Sequence, residues 1–128
     1  MTGFRAFLQS PTSLRDSLEP LVAAFNAARD RPRVLAILSP DGDAQRAQEA
    51  LRSHGSAPAA EVFIVWAAPA SGAPASSRSI APVRARQFWD PARRAIEAFR
   101  EEPDAYLFFD RDARWSAQPP KPARVVRR

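Results

Sequence analysis

The feature that most constrains the fold is an uninterrupted apolar run from Val34 to Leu38, with no polar residue in it. A second run of the same kind extends from Val62 to Trp66. A strand that is apolar on both faces belongs in the interior of a sheet that helices cover on each side. The two runs therefore predict an α/β fold, with residues 34–38 as its central strand.

Apolar residues recur at helical spacing in other parts of the chain. Ser17 and Asp90 are expected to be helix N-caps, and Pro20 and Pro91 follow them within the first helical turn, where proline is tolerated. The predicted helices occupy residues 18–29, 43–53 and 91–101.

The remaining elements are less regular. Residues 3–8 fit either a short strand or a frayed turn, whereas 106–109 is the next predicted strand and Trp115 could begin a strand paired with it. Residues 68–82, rich in Ala, Ser, Pro and Gly, are expected to form a long loop. The resulting order is β-α-β-α-β-α-β-β, with the first strand uncertain.

The net charge of +5 is confined to the C-terminal part of the chain. Residues 1–110 carry thirteen arginines and thirteen acidic residues, whereas 111–128 carry six basic residues and one acidic residue. A uniformly basic nucleic-acid binder would instead carry a charged stripe on its folded surface. We therefore divide the chain into one globular domain, 1–118, and a basic, Pro-containing tail, 119–128, which we expect to be disordered.

The chain contains no cysteine. Disulfide frameworks, thiolate metal sites, iron–sulfur clusters and cysteine nucleophiles are therefore excluded. No segment reaches the ~20 apolar residues of a membrane-spanning helix, and the N-terminal segment lacks the zones of a signal peptide. A cytoplasmic protein with no membrane contact is expected.

Several short motifs occur in a fixed order along the chain: Val-Trp at the end of the second apolar run, Arg-Gln-Phe-Trp-Asp-Pro before the third predicted helix, and Ala-Arg-Trp near the end. These motifs and the element order resemble a bacterial group of thioredoxin-like proteins, over about residues 31–118. The resemblance implies a three-layer fold with a central mixed sheet flanked by helices. The motif residues are Trp66, Arg86, Gln87, Phe88, Trp89, Asp90, Pro91 and Trp115.

The resemblance also indicates where a functional site would lie. Redox members of the superfamily carry a cysteine pair between the central strand and the next helix, and a cis-proline facing it. Here Pro103 is the only candidate for that proline, with Asp104 and Ala105 between it and the strand. We therefore expect a redox-inactive, protein-binding or scaffolding module with no cofactor. Its expected binding surface consists of Pro40, Asp41, Gly42, Asp43, Gln45 and Pro103.

An enzymatic alternative rests on two pairs of carboxylates. Asp41 and Asp43 follow one predicted strand, and Asp110 and Asp112 follow another. Carboxylates past the carboxyl ends of parallel strands can hold Mg²⁺ for phosphoryl transfer or hydrolysis. Both segments also have the composition of ordinary turns. In addition, the chain has no glycine-rich phosphate loop, and its one lysine is Lys121.

Other polar and aromatic residues favour structural roles. His54, the only histidine, is expected at a helix end, where a cation faces the helix dipole. The aromatic residues beside the strands are expected to pack in the core rather than to stack on bases. A protein partner of unknown identity is expected for the domain. The tail has too few basic residues for more than weak contact with nucleic acid.

Overall fold

A computed structural model describes residues 12–39, 60–67 and 86–127. Within these ranges the chain forms six strands and two helices. The strands are β1 (Thr12–Ser13), β2 (Arg33–Leu38), β3 (Glu61–Ala67), β4 (Arg86–Asp90), β5 (Ala105–Phe109) and β6 (Arg124–Arg127). The helices are α1 (Glu19–Ala27) and α2 (Arg94–Phe99).

The strands form one mixed sheet in the order β1-β4-β3-β2-β5-β6. The first four strands in this order are parallel to one another. β5 is antiparallel to both β2 and β6. The predicted α/β class with a mixed sheet is confirmed. We call the end where β2, β3 and β4 finish the carboxyl end of the sheet, and the opposite end its amino end.

The core lies on both faces of this sheet. Along β2, Leu35 and Ile37 pack on the face that carries α1 and α2. The alternate residues Val34, Ala36 and Leu38 pack on the other face. Phe25 of α1 lies at the centre of the first face, with its ring centroid 5.0 Å from that of Phe109 and 5.7 Å from that of Trp115. Both apolar runs are therefore buried on two faces, as the sequence predicts.

Helix α1 is close to its prediction. The predicted N-cap is wrong by one residue: Leu18 is the N-cap, and Ser17 precedes it. Ser17 Oγ nevertheless accepts a hydrogen bond from the backbone N–H of Glu19 at 3.1 Å, and Pro20 lies in the first turn. The helix ends at Ala27, and the chain turns back toward β2 through Asp30, which adopts a φ of 80°.

The third predicted helix is shorter than expected. It was predicted over 91–101, but α2 begins at Arg94 because Asp90 belongs to β4, in register with Ala67. The buried Asp90 carboxylate accepts hydrogen bonds from the N–H groups of Arg94, at 2.9 Å, and Ala95, at 2.8 Å. Asp90 therefore satisfies the helix N-terminus from the end of a strand.

The predictions for the C-terminal segment need correction. Residues 124–127 were expected to be disordered, but they form β6, which pairs with β5 from Phe108 to Ala105. Trp115 does not begin a strand; it is a buried anchor in the connection between β5 and β6. The pairing occurs because Val125 and Val126 pack against the two faces of the core, which a composition-based prediction does not register.

Three further predictions lie outside the described residues: the first strand at 3–8, the second helix at 43–53 and the loop at 68–82. Across the residues that the structure covers, no helix is long and apolar enough to cross a membrane.

Candidate functional site

The carboxyl end of the sheet brings together two of the segments that the sequence singled out. Ser39 follows β2, and its backbone N–H donates a hydrogen bond to Oδ1 of Asp104 at 2.8 Å. Asp104 directly precedes β5, whose first residue pairs with Ile37. Pro103 therefore lies at the same end of the sheet as Ser39. The other predicted surface residues, Pro40, Asp41, Gly42, Asp43 and Gln45, lie outside the described residues.

Pro103 does not match the cis-proline that the resemblance implies. In the described chain the cis peptide bond follows Pro103 and joins it to Asp104. Both residues are partly buried. Pro103 thus lies at the expected end of the sheet, but the cis peptide bond follows it instead of preceding it.

An ion pair lies at the same end of the sheet, on the far side of β5. Arg127 donates from Nε to Oε1 of Glu101 at 2.8 Å and from Nη2 to Oε2 at 2.7 Å. The hydrogen bond to Glu101 and the charge of its carboxylate raise the pKa of Arg127 above its ordinary value. This two-pronged pair joins the end of β6 to the segment after α2.

The Arg-Gln-Phe-Trp-Asp segment forms β4 and is largely structural. Trp66 Nε1 donates to Oε1 of Gln87 at 2.8 Å, across the parallel pair β3 and β4. Phe88 is buried in the core beneath the helices, and Trp89 packs against the core of the opposite face. The expectation that the strand-associated aromatics pack is confirmed for these residues.

Trp115 of the Ala-Arg-Trp motif is also an anchor. Its backbone N–H donates to Asn26 Oδ1 at 2.9 Å, and Asn26 Nδ2 donates to its carbonyl at 2.7 Å. Its ring meets those of Phe25 and Phe99 edge to face. Two side-chain hydrogen bonds and one ring contact therefore fix the connection after β5 onto α1, and a second ring contact fixes it onto α2.

Among the described residues, Arg33 makes the most side-chain hydrogen bonds, and it was missed by sequence reasoning. Its side chain is fully buried, and its guanidinium lies 4.3 Å from the Phe25 ring centroid. It donates to five backbone carbonyls, those of Phe25, Arg31, Asp110, Arg111 and Ala113, at 2.8 to 3.1 Å. Burial lowers the pKa of Arg33, and the nearby Asp30 carboxylate opposes this shift. The sequence signal that could have indicated this role is an arginine between Pro32 and Val34, directly before an apolar run.

The carboxylates of the enzymatic alternative are not placed as that hypothesis requires. Asp110 and Asp112 follow β5, but β5 is antiparallel to β2, so its C-terminal end lies beside Arg33 at the amino end of the sheet. Ser39, which precedes Asp41, lies at the carboxyl end. The expectation that both pairs follow parallel strands is wrong for Asp110 and Asp112. Among the described residues, no group of three or more His, Asp or Glu side chains is arranged to hold a metal ion.

The amino end of the sheet also carries a cleft of about 520 Å³ beside the end of α1. Arg31 and Glu61 form an ion pair at its rim, and Arg29 and Arg86 contribute further cationic side chains to its lining. Sequence reasoning did not predict this cleft, because its lining residues come from three separate segments of the chain.

Comparisons with known proteins add no relative to this description. The sequence matches no protein-family model. Searches among curated proteins and solved structures likewise return no significant match.

Proposed function

We propose that the protein is a redox-inactive thioredoxin-like domain that binds another protein through the carboxyl end of its sheet. One observation carries the proposal: the Ser39 N–H to Asp104 Oδ1 hydrogen bond, which holds Pro103 and the end of the central strand in one surface. In α/β sheets, ligands commonly bind beyond the carboxyl ends of the strands.

The thioredoxin-like assignment has two supports. The described elements keep the order of the predicted ones, with β1 and β4 added and with the last strand at Arg124–Arg127 instead of beginning at Trp115. The sheet is parallel on one side of β2 and antiparallel on the other, and both described helices contribute to the core of one face. The three-layer arrangement remains a prediction, since the second predicted helix, 43–53, lies outside the described residues.

The chemistry at this surface favours binding over thiol catalysis. Thiol–disulfide exchange requires a thiolate, and the chain has no cysteine to supply one. The carboxylate of Asp104 is engaged by the Ser39 amide, where it orders the backbone. The surface therefore offers shape and hydrogen-bonding groups to a partner. An insulin-reduction assay should give no turnover, and measurable turnover would refute the redox-inactive assignment.

Site-specific photocrosslinking in cells tests the location of the surface. A photoreactive amino acid replaces Glu102, whose side chain is 79% exposed beside Pro103. The matched control replaces Asp112, an exposed acidic residue after β5 at the amino end of the sheet. We expect a protein adduct of discrete mass from position 102 and none of that mass from position 112. Identical adducts from both positions, or none from position 102, would contradict the proposal.

A further inference from the structure

We propose that β6 is a docking edge for an extended acidic segment of a partner protein, which pairs with it as an additional strand of the sheet. This goes beyond the proposed function, because the surface is the open side of β6 rather than the carboxyl end around Ser39 and Pro103. The occupant is defined by its chemistry: an extended peptide with acidic residues flanking two apolar ones.

The backbone of β6 supplies the hydrogen-bonding groups. β6 is the last strand in the order of the sheet and pairs with β5 on one side. Within the part of the chain that the structure describes, no strand pairs with its other side. Alternate N–H and C=O groups of an edge strand point away from its neighbour, so they are placed to bond an incoming strand.

The side chains between the ends of β6 supply apolar area on both faces. Val125 packs against the core beneath the helices, and Val126 packs against the core of the opposite face. Both valines remain partly exposed. A strand added beside β6 would cover part of this remaining area, since cross-strand neighbours lie about 5 Å apart.

The charges on this edge determine the kind of strand that fits. Arg124 is exposed with its guanidinium 4.3 Å from the Phe108 ring centroid, and the Arg127 side chain is 68% exposed although Glu101 binds it. Lys121, also exposed, precedes the strand. The edge therefore presents the Arg124 cation at one end of the Val125–Val126 pair and, at the other end, Arg127, whose charge the Glu101 carboxylate offsets. An acidic residue facing Arg124 adds a new ion pair, and one facing Arg127 shares that guanidinium with Glu101.

The same charges disfavour a second copy of this chain as the occupant. Two β6 strands paired with each other would bring together four arginines and no acidic residue, because β6 contains only Arg124, Val125, Val126 and Arg127. Cations on an edge strand disfavour its pairing with another edge of the same kind. Arginine at these positions thus protects the edge against self-association while leaving it attractive to an acidic strand.

Fluorescence anisotropy of the full chain with a labelled synthetic peptide tests the proposal. The probe is a capped decapeptide with Glu-Val-Val-Glu at its centre; the controls replace both glutamates with lysine, or the second valine with proline. We expect saturable binding of the probe and at least tenfold weaker binding of each control. Hydrogen exchange should slow when the probe binds at the one of Val125 and Val126 whose N–H points away from β5, and change less at the other.

Two charge reversals on the protein locate the site. Arg124→Glu should weaken probe binding at least tenfold, whereas Arg15→Glu, near β1 at the opposite edge, should change it less than twofold. Arg124→Gln, which keeps a polar side chain, replaces Arg124→Glu if circular dichroism indicates misfolding. Equal binding by the Arg124 and Arg15 variants, unchanged exchange in β6, or a chain that dimerises in sedimentation experiments would overturn the proposal. The crosslinking test at position 102 is read independently.

Discussion

At the scale of single residues, one arginine organises the amino end of the sheet. The Arg33 side chain donates hydrogen bonds to one carbonyl near the end of α1 and to three carbonyls in the turn that follows β5. Three of these carbonyls also accept a backbone N–H, that of Phe25 from Ala28, that of Asp110 from Ala113 and that of Arg111 from Asp30. Arg33 adds a second donor to each and thereby ties the turn after β5 to α1. A guanidinium is suited to the role because its planar donors diverge toward several acceptors at once.

Replacing Arg33 should therefore destabilise the protein strongly. We expect Arg33→Met to lower the free energy of unfolding by about 3 kcal/mol, since five hydrogen bonds from one charged guanidinium are lost together. Arg33→Lys should restore little of this loss, because one ammonium cannot reach the same set of acceptors. Urea denaturation followed by tryptophan fluorescence measures both changes.

Arg31→Met is the matched control for this prediction. Arg31 lies two residues earlier, its side chain is 57% exposed, and it forms an ion pair with Glu61. Exposed ion pairs contribute between about 0 and 1 kcal/mol. If Arg31→Met and Arg33→Met destabilised the protein equally, the carbonyl network would not be the source of the effect.

At the scale of secondary-structure elements, α2 depends on a carboxylate outside it. The helix has six residues, and Arg93 before it adopts a φ of 56°. A helix this short has little intrinsic stability. Its first amides are satisfied by Asp90, whose position is fixed by the register of β4 against β3. The strand therefore determines where the helix begins.

Substitution of Asp90 should loosen α2 while the sheet persists. We expect Asp90→Ala to cost about 1 to 3 kcal/mol, because two amides at the helix start lose their acceptor. Asp90→Asn retains one amide oxygen and should cost less. Hydrogen exchange resolved by NMR should accelerate at Ala95 more than at Leu35 in β2. Equal acceleration at both positions would show global rather than local destabilisation.

The same elements show which parts of the fold could be predicted from the sequence. β2, β3 and β5 were predicted because each is a continuous apolar run, which signals burial on both faces. β4 and β6 were missed because their apolar residues are few and flanked by charged residues, so their pairing depends on neighbours distant in the chain. At the candidate site, the position of Pro103 could be predicted, whereas the hydrogen bond between Ser39 and Asp104 could not, because it is a tertiary contact. The role of Arg33 at the other end of the sheet depends on tertiary contacts in the same way.

At the scale of the whole molecule, the structure shows where the basic part of the chain lies relative to the sheet. The sequence separates a neutral body from a basic end. In the structure, residues 110–113 connect to the amino end of the sheet through Arg33, and 124–127 form its edge strand. The basic end is therefore attached to the sheet at two places. Arg124 and Arg127 lie in β6 rather than on a separate appendage.

Removing β6 should consequently affect folding as well as charge. A chain ending at Ala123 loses the two valines that extend both cores and the ladder that covers β5. From partial burial of two valines and a few net backbone hydrogen bonds, we expect a loss of roughly 2 to 4 kcal/mol. A disordered tail would give no loss. Urea denaturation of this chain, compared with one ending at Arg127, separates the two cases, because the second truncation keeps the whole strand. Unchanged stability of the shorter chain would mean that β6 adds nothing to the sheet, and the docking edge proposed for it would be lost as well.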